Sequence, residues 1–302
     1  MLTPRLFIGP MSKEIVDIAL SYSKAYNPLG IIPSRRQVEN TGGYVNDWTT
    51  RQFTNHVTSG DGRVLLVRDH GGPGQGSVDD DGIDSLMTDI EAGFDILHID
   101  PWKKCSDIEE GAQKTLDLIE KCLEESDDVF FEVGTEESIF RYTYNDLEFL
   151  LSSLEKKLKD KFHRIKYAVI QSGVEISGTR NIGNFSRKRL HQMTKACKKF
   201  GVLSKEHNGD YLSFEQIKER ADAGLDSINI APEFGVTQTR LLLDNQLIDL
   251  RDALGVCLRS KKYEKWIPKE MKCDPPGRLV VEVSGHYNFC DPLFKESIPK
   301  IK

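Results

Sequence analysis

Short apolar runs alternate along this chain with longer stretches in which apolar residues recur every three or four positions. The runs are Leu6 to Ile8, Gly30 to Pro33, Val64 to Val67, Ile96 to Asp100, Val129 to Val133, Tyr167 to Gln171, Leu203 to His207 and Asp226 to Ala231. Each is strand-sized, and the stretches between them read as amphipathic helices. The best-marked repeat is Leu203 to Phe234. There Ser213 and Gln216 form a capping box, Ile217, Ala221 and Leu225 keep the helical period, and Gly224 ends the helix. After Glu233 one more helix is predicted from Thr237 to about Leu258. Eight strand–helix repeats in about 260 residues predict a parallel (β/α)8 TIM barrel, class α/β, over residues 1–260. Residues 261–302 form a C-terminal extension, expected to pack on the barrel or on a neighbouring subunit. Its late apolar run, Leu279 to Val283, ends in Ser284, Gly285 and His286 and reads as strand-like.

In a parallel barrel the carboxyl ends of the strands share one mouth, which is the active face. The polar residues at those ends are Glu39, Asp69, His70, Asp100, Glu132, Gln171, Glu206, His207, Asn229 and Glu233. Two imidazoles from the third and seventh strands, with a carboxylate from the fifth, suit a divalent ion such as Zn²⁺. The plainer alternative is that His70 and His207 are hydrogen-bonded site residues without a metal. His98 lies inside an apolar strand and reads as a core histidine; His56, His163 and His191 fall on charged helices and read as surface residues. The loop Gly71 to Gly76 reads as a weak anion cradle or a lid.

Composition narrows the field. The chain has 302 residues, 38% hydrophobic and 29% charged, which is an ordinary globular balance. A net charge of -6 argues against nucleic acid as a partner. Its six cysteines are scattered with no CxxC pair, as expected of reduced thiols. No apolar run is long enough to span a bilayer and no signal peptide opens the chain, so a cytoplasmic protein is expected.

Several motifs recur in one known family. They are Gly42-Gly43-Tyr44, Asp69-His70-Gly71-Gly72-Pro73, Ile99-Asp100, Glu132-Val133-Gly134, Glu206-His207-Asn208-Gly209-Asp210-Tyr211 and Ile228-Asn229-Ile230 before Ala231-Pro232-Glu233. In this order they resemble the class II, metal-dependent fructose- and tagatose-bisphosphate aldolases. The closest likeness is to the tagatose-bisphosphate aldolase subunit often described as non-catalytic. The resemblance implies a zinc ion on His70, Glu132 and His207, Asp69 as the proton donor, and Asn229 orienting the substrate. Glu132 acting as a base is the lesser alternative. Arg35, Arg36, Asp100, Gln171, Lys205, Asn208 and Glu233 are expected to contact a sugar or sugar phosphate.

The chain also departs from that pattern. Where the family has a third metal-binding histidine, it carries Gln171-Ser172-Gly173, so Glu132 or His98 would complete the set. The family's phosphate-binding Gly and Ser/Thr positions hold Asn208, Asp210, Tyr211 and Glu233. Their carboxylates would repel phosphate, which shifts the expected anion site to Arg35, Arg36 or Arg180. The expected activity is an aldolase-like lyase working through a metal-stabilised enediolate. The alternatives are a non-catalytic stabilising or regulatory partner of a catalytic aldolase subunit, and a metal-dependent sugar epimerase. A homo-oligomer is expected.

Overall fold

The computed structural model describes residues 2–135 and 141–298. Eight parallel strands close a barrel: β1 Leu6–Ile8, β2 Leu29–Ile31, β3 Val64–Gly71, β4 Ile96–Ile99, β5 Phe130–Gly134, β6 Ile165–Ile170, β7 Leu203–Glu206 and β8 Ser227–Ile230. Each pairs with its neighbours in sequence, and β1 closes on β8 with Phe7 beside Asn229. This is the expected (β/α)8 barrel.

Helices α1 Lys13–Ala25, α2 Thr50–Thr58, α3 Ile83–Ala92, α4 Ile108–Glu125, α5 Tyr144–Leu158, α6 Arg187–Lys199 and α7 Phe214–Asp222 ring the barrel. The capping box read from Ser213 and Gln216 is present at the start of α7. Thr49 and Thr143 cap α2 and α5 in the same way. None of the described helices is long and apolar enough to cross a membrane.

Strand alternation splits the apolar residues into two sets. Leu66, Leu97, Phe131 and Ala168 face the helices and join the large outer core. Phe7, Leu65, Val67, Ile96 and Tyr167 face inward and plug the barrel. The Phe7 ring fills the space over Gly30, where a Cβ would come within 1.9 Å of Phe7 Cδ1. Above this plug, toward the carboxyl ends, the inward residues turn polar: His98, Glu132 and Lys205 are all fully buried. An apolar floor under a polar layer therefore sets the depth of the site.

The single helix expected from Thr237 to Leu258 is two helices, α8 Pro232–Asp244 and α9 Leu250–Ser260. Asn245 ends the first and the Asp249 side chain caps the second. The strand-like run Leu279 to Val283 lies within a helix, α10 Gly277–Ser284. Its β-branched residues favour a strand only weakly, and packing overrides that preference. Val280, Val281 and Val283 bury against α8 and α9 in a second apolar cluster that also holds Leu242, Val256, Phe289 and Phe294. The cluster spans residue 260, so α9 and the extension share one core. Residues 299–302 of the extension lie outside the described chain.

Candidate active site

The site begins with an irregularity in β3. In a regular strand Asp69 and His70 would point to opposite faces. Here the pairing with β4 shifts register between Arg68 and Gly71, and His70 takes a left-handed backbone with φ 49°. A bulge of this kind re-aims side chains, and both Asp69 and His70 line the same cleft. Arg68 faces outward instead and pairs with Asp89, both fully buried.

At the mouth His70 Nδ1 lies 2.6 Å from Asp100 Oδ2, which also accepts from Gln75 Nε2 at 2.7 Å. Burial alone would raise the Asp100 carboxyl, but the His70 hydrogen bond and the charges of His70 and His98 bring it down to about 2. An ionised Asp100 accepts the proton on Nδ1 and so sets the tautomer of the ring. That turns Nε2 toward Asp69, with Oδ1 3.9 Å away.

His98 is a buried core histidine, as expected, but its ring belongs to the interior of the barrel and not to the core under the helices. Ile96 and His98 share one face of β4, and that face looks into the barrel. The centroid of its ring lies 5.1 Å from that of His70 and 5.3 Å from that of His207. The period-two pattern of Ile96, His98 and Asp100 was the available signal.

Glu132 sits behind His207. Its Oε2 is 2.5 Å from Lys205 Nζ and its Oε1 is 2.9 Å from His207 Nε2. Burial alone would raise the carboxyl, but Lys205, His207 and His98 hold it far below the usual range. The Glu132 carboxylate thus fixes the His207 ring, and His207 Nδ1 faces Asp69 Oδ1 at 3.8 Å.

Asp69 Oδ1 is buried and has no hydrogen-bond partner. Ligand atoms of Asp69, His98 and His207 all lie within 4.8 Å of one another. An orphaned carboxylate oxygen is costly unless the imidazoles beside it are protonated or a cation sits among them. Two nitrogens and one oxygen fit a borderline divalent ion such as zinc.

The other expected contacts divide. Arg36, Asp69, His70, Asp100 and Asn208 line a cleft of about 800 Å³ at the mouth. Asn229 points into the barrel like its neighbour Phe7, and both its amide atoms are buried without a partner. Lys205 is buried under Phe7 and Glu132 rather than lining the cleft. Gln171 does not line it either, and its carbonyl accepts from Arg189 Nε.

Arg35 departs most from expectation. Its guanidinium is committed to Glu39 at 2.6 Å, to both Asp80 oxygens at 2.7 Å and to the Gly72 carbonyl. It pins the second loop to the third and offers little to a substrate.

Asp210 and Glu233 do more than repel a phosphate. Asp210 Oδ1 accepts from the backbone N–H groups of Ala231 and Glu233 at the start of α8, and Glu233 Oε2 accepts from Tyr211 N. A helix N-terminus is a natural anion site, and here the chain's own carboxylate occupies it. Burial, the largest influence, pushes the Asp210 carboxyl up to about 7 despite those two N–H donors.

Floor, mouth and polar layer together define a (β/α)8 barrel with a titratable cluster at the carboxyl ends of its strands. No protein-family model matches the chain, and no curated protein matches it. Among solved structures, a probable tagatose 6 phosphate kinase from Sinorhizobium meliloti 1021 shares the fold at TM-score 0.78 and 17% identity, over 98% of this chain and 86% of that one. The YdjI aldolase from Escherichia coli K12 does so at TM-score 0.57 and 12% identity, over 98% and 93%. Fructuronate-tagaturonate epimerase UxaE from Cohnella laeviribosi does so at TM-score 0.63 and 11% identity, over 99% and 77%.

Proposed function

We propose that this barrel is a metal-dependent lyase of the aldolase type, which opens or closes a carbon–carbon bond in a sugar or sugar phosphate. Its main support is the buried, unpartnered Asp69 oxygen held against His98 and His207 at the foot of the cleft. The aldolases that share the fold are consistent with it.

Asp69, His98 and His207 would hold a zinc ion, with His70 beside them in place of the His70, Glu132, His207 set. When bound, such an ion supplies positive charge to substrate oxygens that become more negative as the carbon–carbon bond breaks. The protein's own groups do the rest.

Cleavage removes the proton of the hydroxyl beside the breaking bond, and the bonding electron pair moves toward the carbonyl oxygen. His70 Nε2, with its ring set by Asp100, is placed to accept that proton and to return it in the reverse direction. Asn229 offers one amide donor and one acceptor to a substrate hydroxyl. Glu132 and Lys205 keep the His207 ring in place.

Two measurements test this reading. Elemental analysis of the purified protein should find about one zinc per chain, and a His98→Ala/His207→Ala double variant should lose it. Incubation with ketoses and ketose phosphates should then release an aldehyde. Epimers in the product mixture would turn the reading toward an epimerase. A metal-loaded protein that turns over none of these sugars would favour the non-catalytic partner.

A further inference from the structure

We propose that Arg36, Lys103 and Lys265 form an oxyanion pocket in the wall of the cleft. On this view the site takes an acidic sugar, whose carboxylate or phosphate lies outside the reacting carbons. The inference rests on reading the cleft as a sugar site and adds the class of sugar.

The three cations come from separate parts of the chain. Arg36 follows β2, Lys103 lies in the 3-10 turn Trp102–Lys104 after β4, and Lys265 closes the turn Lys262–Lys265 of the extension. All three line the same cleft. They are close enough to act on one another. Burial and then the charge of Arg36 pull the Lys103 ammonium below its ordinary range. The same influences, with Lys103 added, pull down Lys265.

None of the three has an ion-pair partner among the described residues, although the charge of Asp100 reaches Lys103 and that of Asp69 reaches Lys265. Arg36 Nε donates to the Gly76 carbonyl at 3.3 Å. Lys103 donates to Gln75 Oε1 and approaches the Gly74 carbonyl at 3.5 Å. Lys265 Nζ stands 4.4 Å over the Trp266 ring. Among the described residues no carboxylate is within ion-pair distance of any of them, although Glu264 shares the rim.

Arg36, Lys103 and Lys265 are exposed along the cleft, whereas the buried arginines among the described residues are all paired with carboxylates. Arg35 pairs with Glu39 and Asp80, Arg68 with Asp89, and Arg220 with Glu206. Three like charges around one cleft repel each other until an anion enters. A forked guanidinium with two mobile ammonium groups suits carboxylate and phosphate alike.

Two further observations agree. The helix N-terminus that could otherwise hold an anion already holds Asp210. And in a chain of net charge -6 the lining of this cleft also carries Lys261 and Lys262. Lys265 belongs to the extension, so the extension completes the pocket rather than merely covering it.

Calorimetric titration of the full chain provides the test. Its ligands are inorganic phosphate, a hexose phosphate, a hexuronate and the matching neutral hexose. Phosphate and both acidic sugars should bind, more weakly as salt is added, and the neutral hexose should bind at least about tenfold more weakly. Lys265→Gln and Lys103→Gln, both at exposed positions, should each weaken binding of the acidic sugars about ten- to hundredfold, the cost of a charged hydrogen bond. Lys265→Arg should restore it.

The ratio of phosphate-sugar to uronate affinity tells which oxyanion the pocket takes. A neutral hexose that binds as tightly as its acidic counterparts, or wild-type affinity in both lysine variants, would overturn the proposal. Acidic sugars that bind the wild-type protein through these cations but are not turned over by it would count against the lyase reading alone.

Discussion

At the scale of single residues, the site separates two roles that lie next to each other in sequence. Asp69 joins the cluster with His98 and His207, whereas His70 pairs with Asp100. Asp69→Asn should therefore lower zinc content and turnover together. His70→Gln should keep the zinc and lower kcat by about 10²–10⁴-fold, the usual loss of a general acid or base. Metal analysis beside single-turnover kinetics distinguishes them, and zinc retained at wild-type level in Asp69→Asn would return that residue to a proton-transfer role. A second residue-scale test concerns the Lys205–Glu132 pair, in which both side chains are fully buried. Lys205→Met leaves a buried carboxylate without its ammonium and should cost about 3–5 kcal/mol in urea unfolding. Lys205→Met/Glu132→Leu should recover much of that loss, because removing both charges removes the uncompensated one.

At the scale of elements, the join between β8 and α8 carries a pH dependence. Pro232 starts the helix at once, and Asp210 supplies its N-terminal acceptor from the loop after β7. The folded Asp210 carboxyl titrates at about 7, above its ordinary value. The folded state thus binds a proton that the unfolded chain has released, and stability falls as pH rises from about 4 to 7. Asp210→Asn keeps the acceptor oxygen and removes the titration. Measured by urea unfolding, the variant should gain on the wild type across that window by of the order of 1 kcal/mol per pH unit. A difference that stays constant from pH 4 to 7 would place the titration elsewhere. The β3 bulge is the other element-scale device: through its left-handed His70, one short stretch brings Asp69 beside His98 and His207 and His70 beside Asp100.

At the scale of the whole molecule, the extension and the barrel are not separable parts. Ile267, Val280, Val281, Val283, Phe289, Phe294 and Ile298 bury in one cluster with residues of α8 and α9. At about 1.5–3 kcal/mol for each such side chain, their loss is comparable to or larger than a typical net stability of about 5–15 kcal/mol. A chain ending at residue 260 should therefore fail to give a soluble, cooperatively melting barrel. A truncated protein that melts cooperatively and keeps its anion affinity would contradict both the shared core and the place of Lys265 in the cleft.

Much of this molecule was determined by local pattern. Alternation within strands and helical periodicity between them are properties of neighbouring residues, and they were sufficient for the barrel and for Asp69, His70, Asp100, His207 and Asn229 at strand ends. What the tertiary structure decided involves partners far apart in the chain. Arg35 looked as able as Arg36 to hold an anion until folding brought Asp80 against it. Glu132 looked like a ligand until Lys205 and His207 took its two oxygens. Lys265 had no apparent link to the mouth, because only the docking of the extension on α8 and α9 carries it there. Even the helical form of residues 277–284 followed from that docking rather than from propensity. Charge neutralisation and burial depend on what arrives from elsewhere in the chain, and a short window of sequence does not contain it.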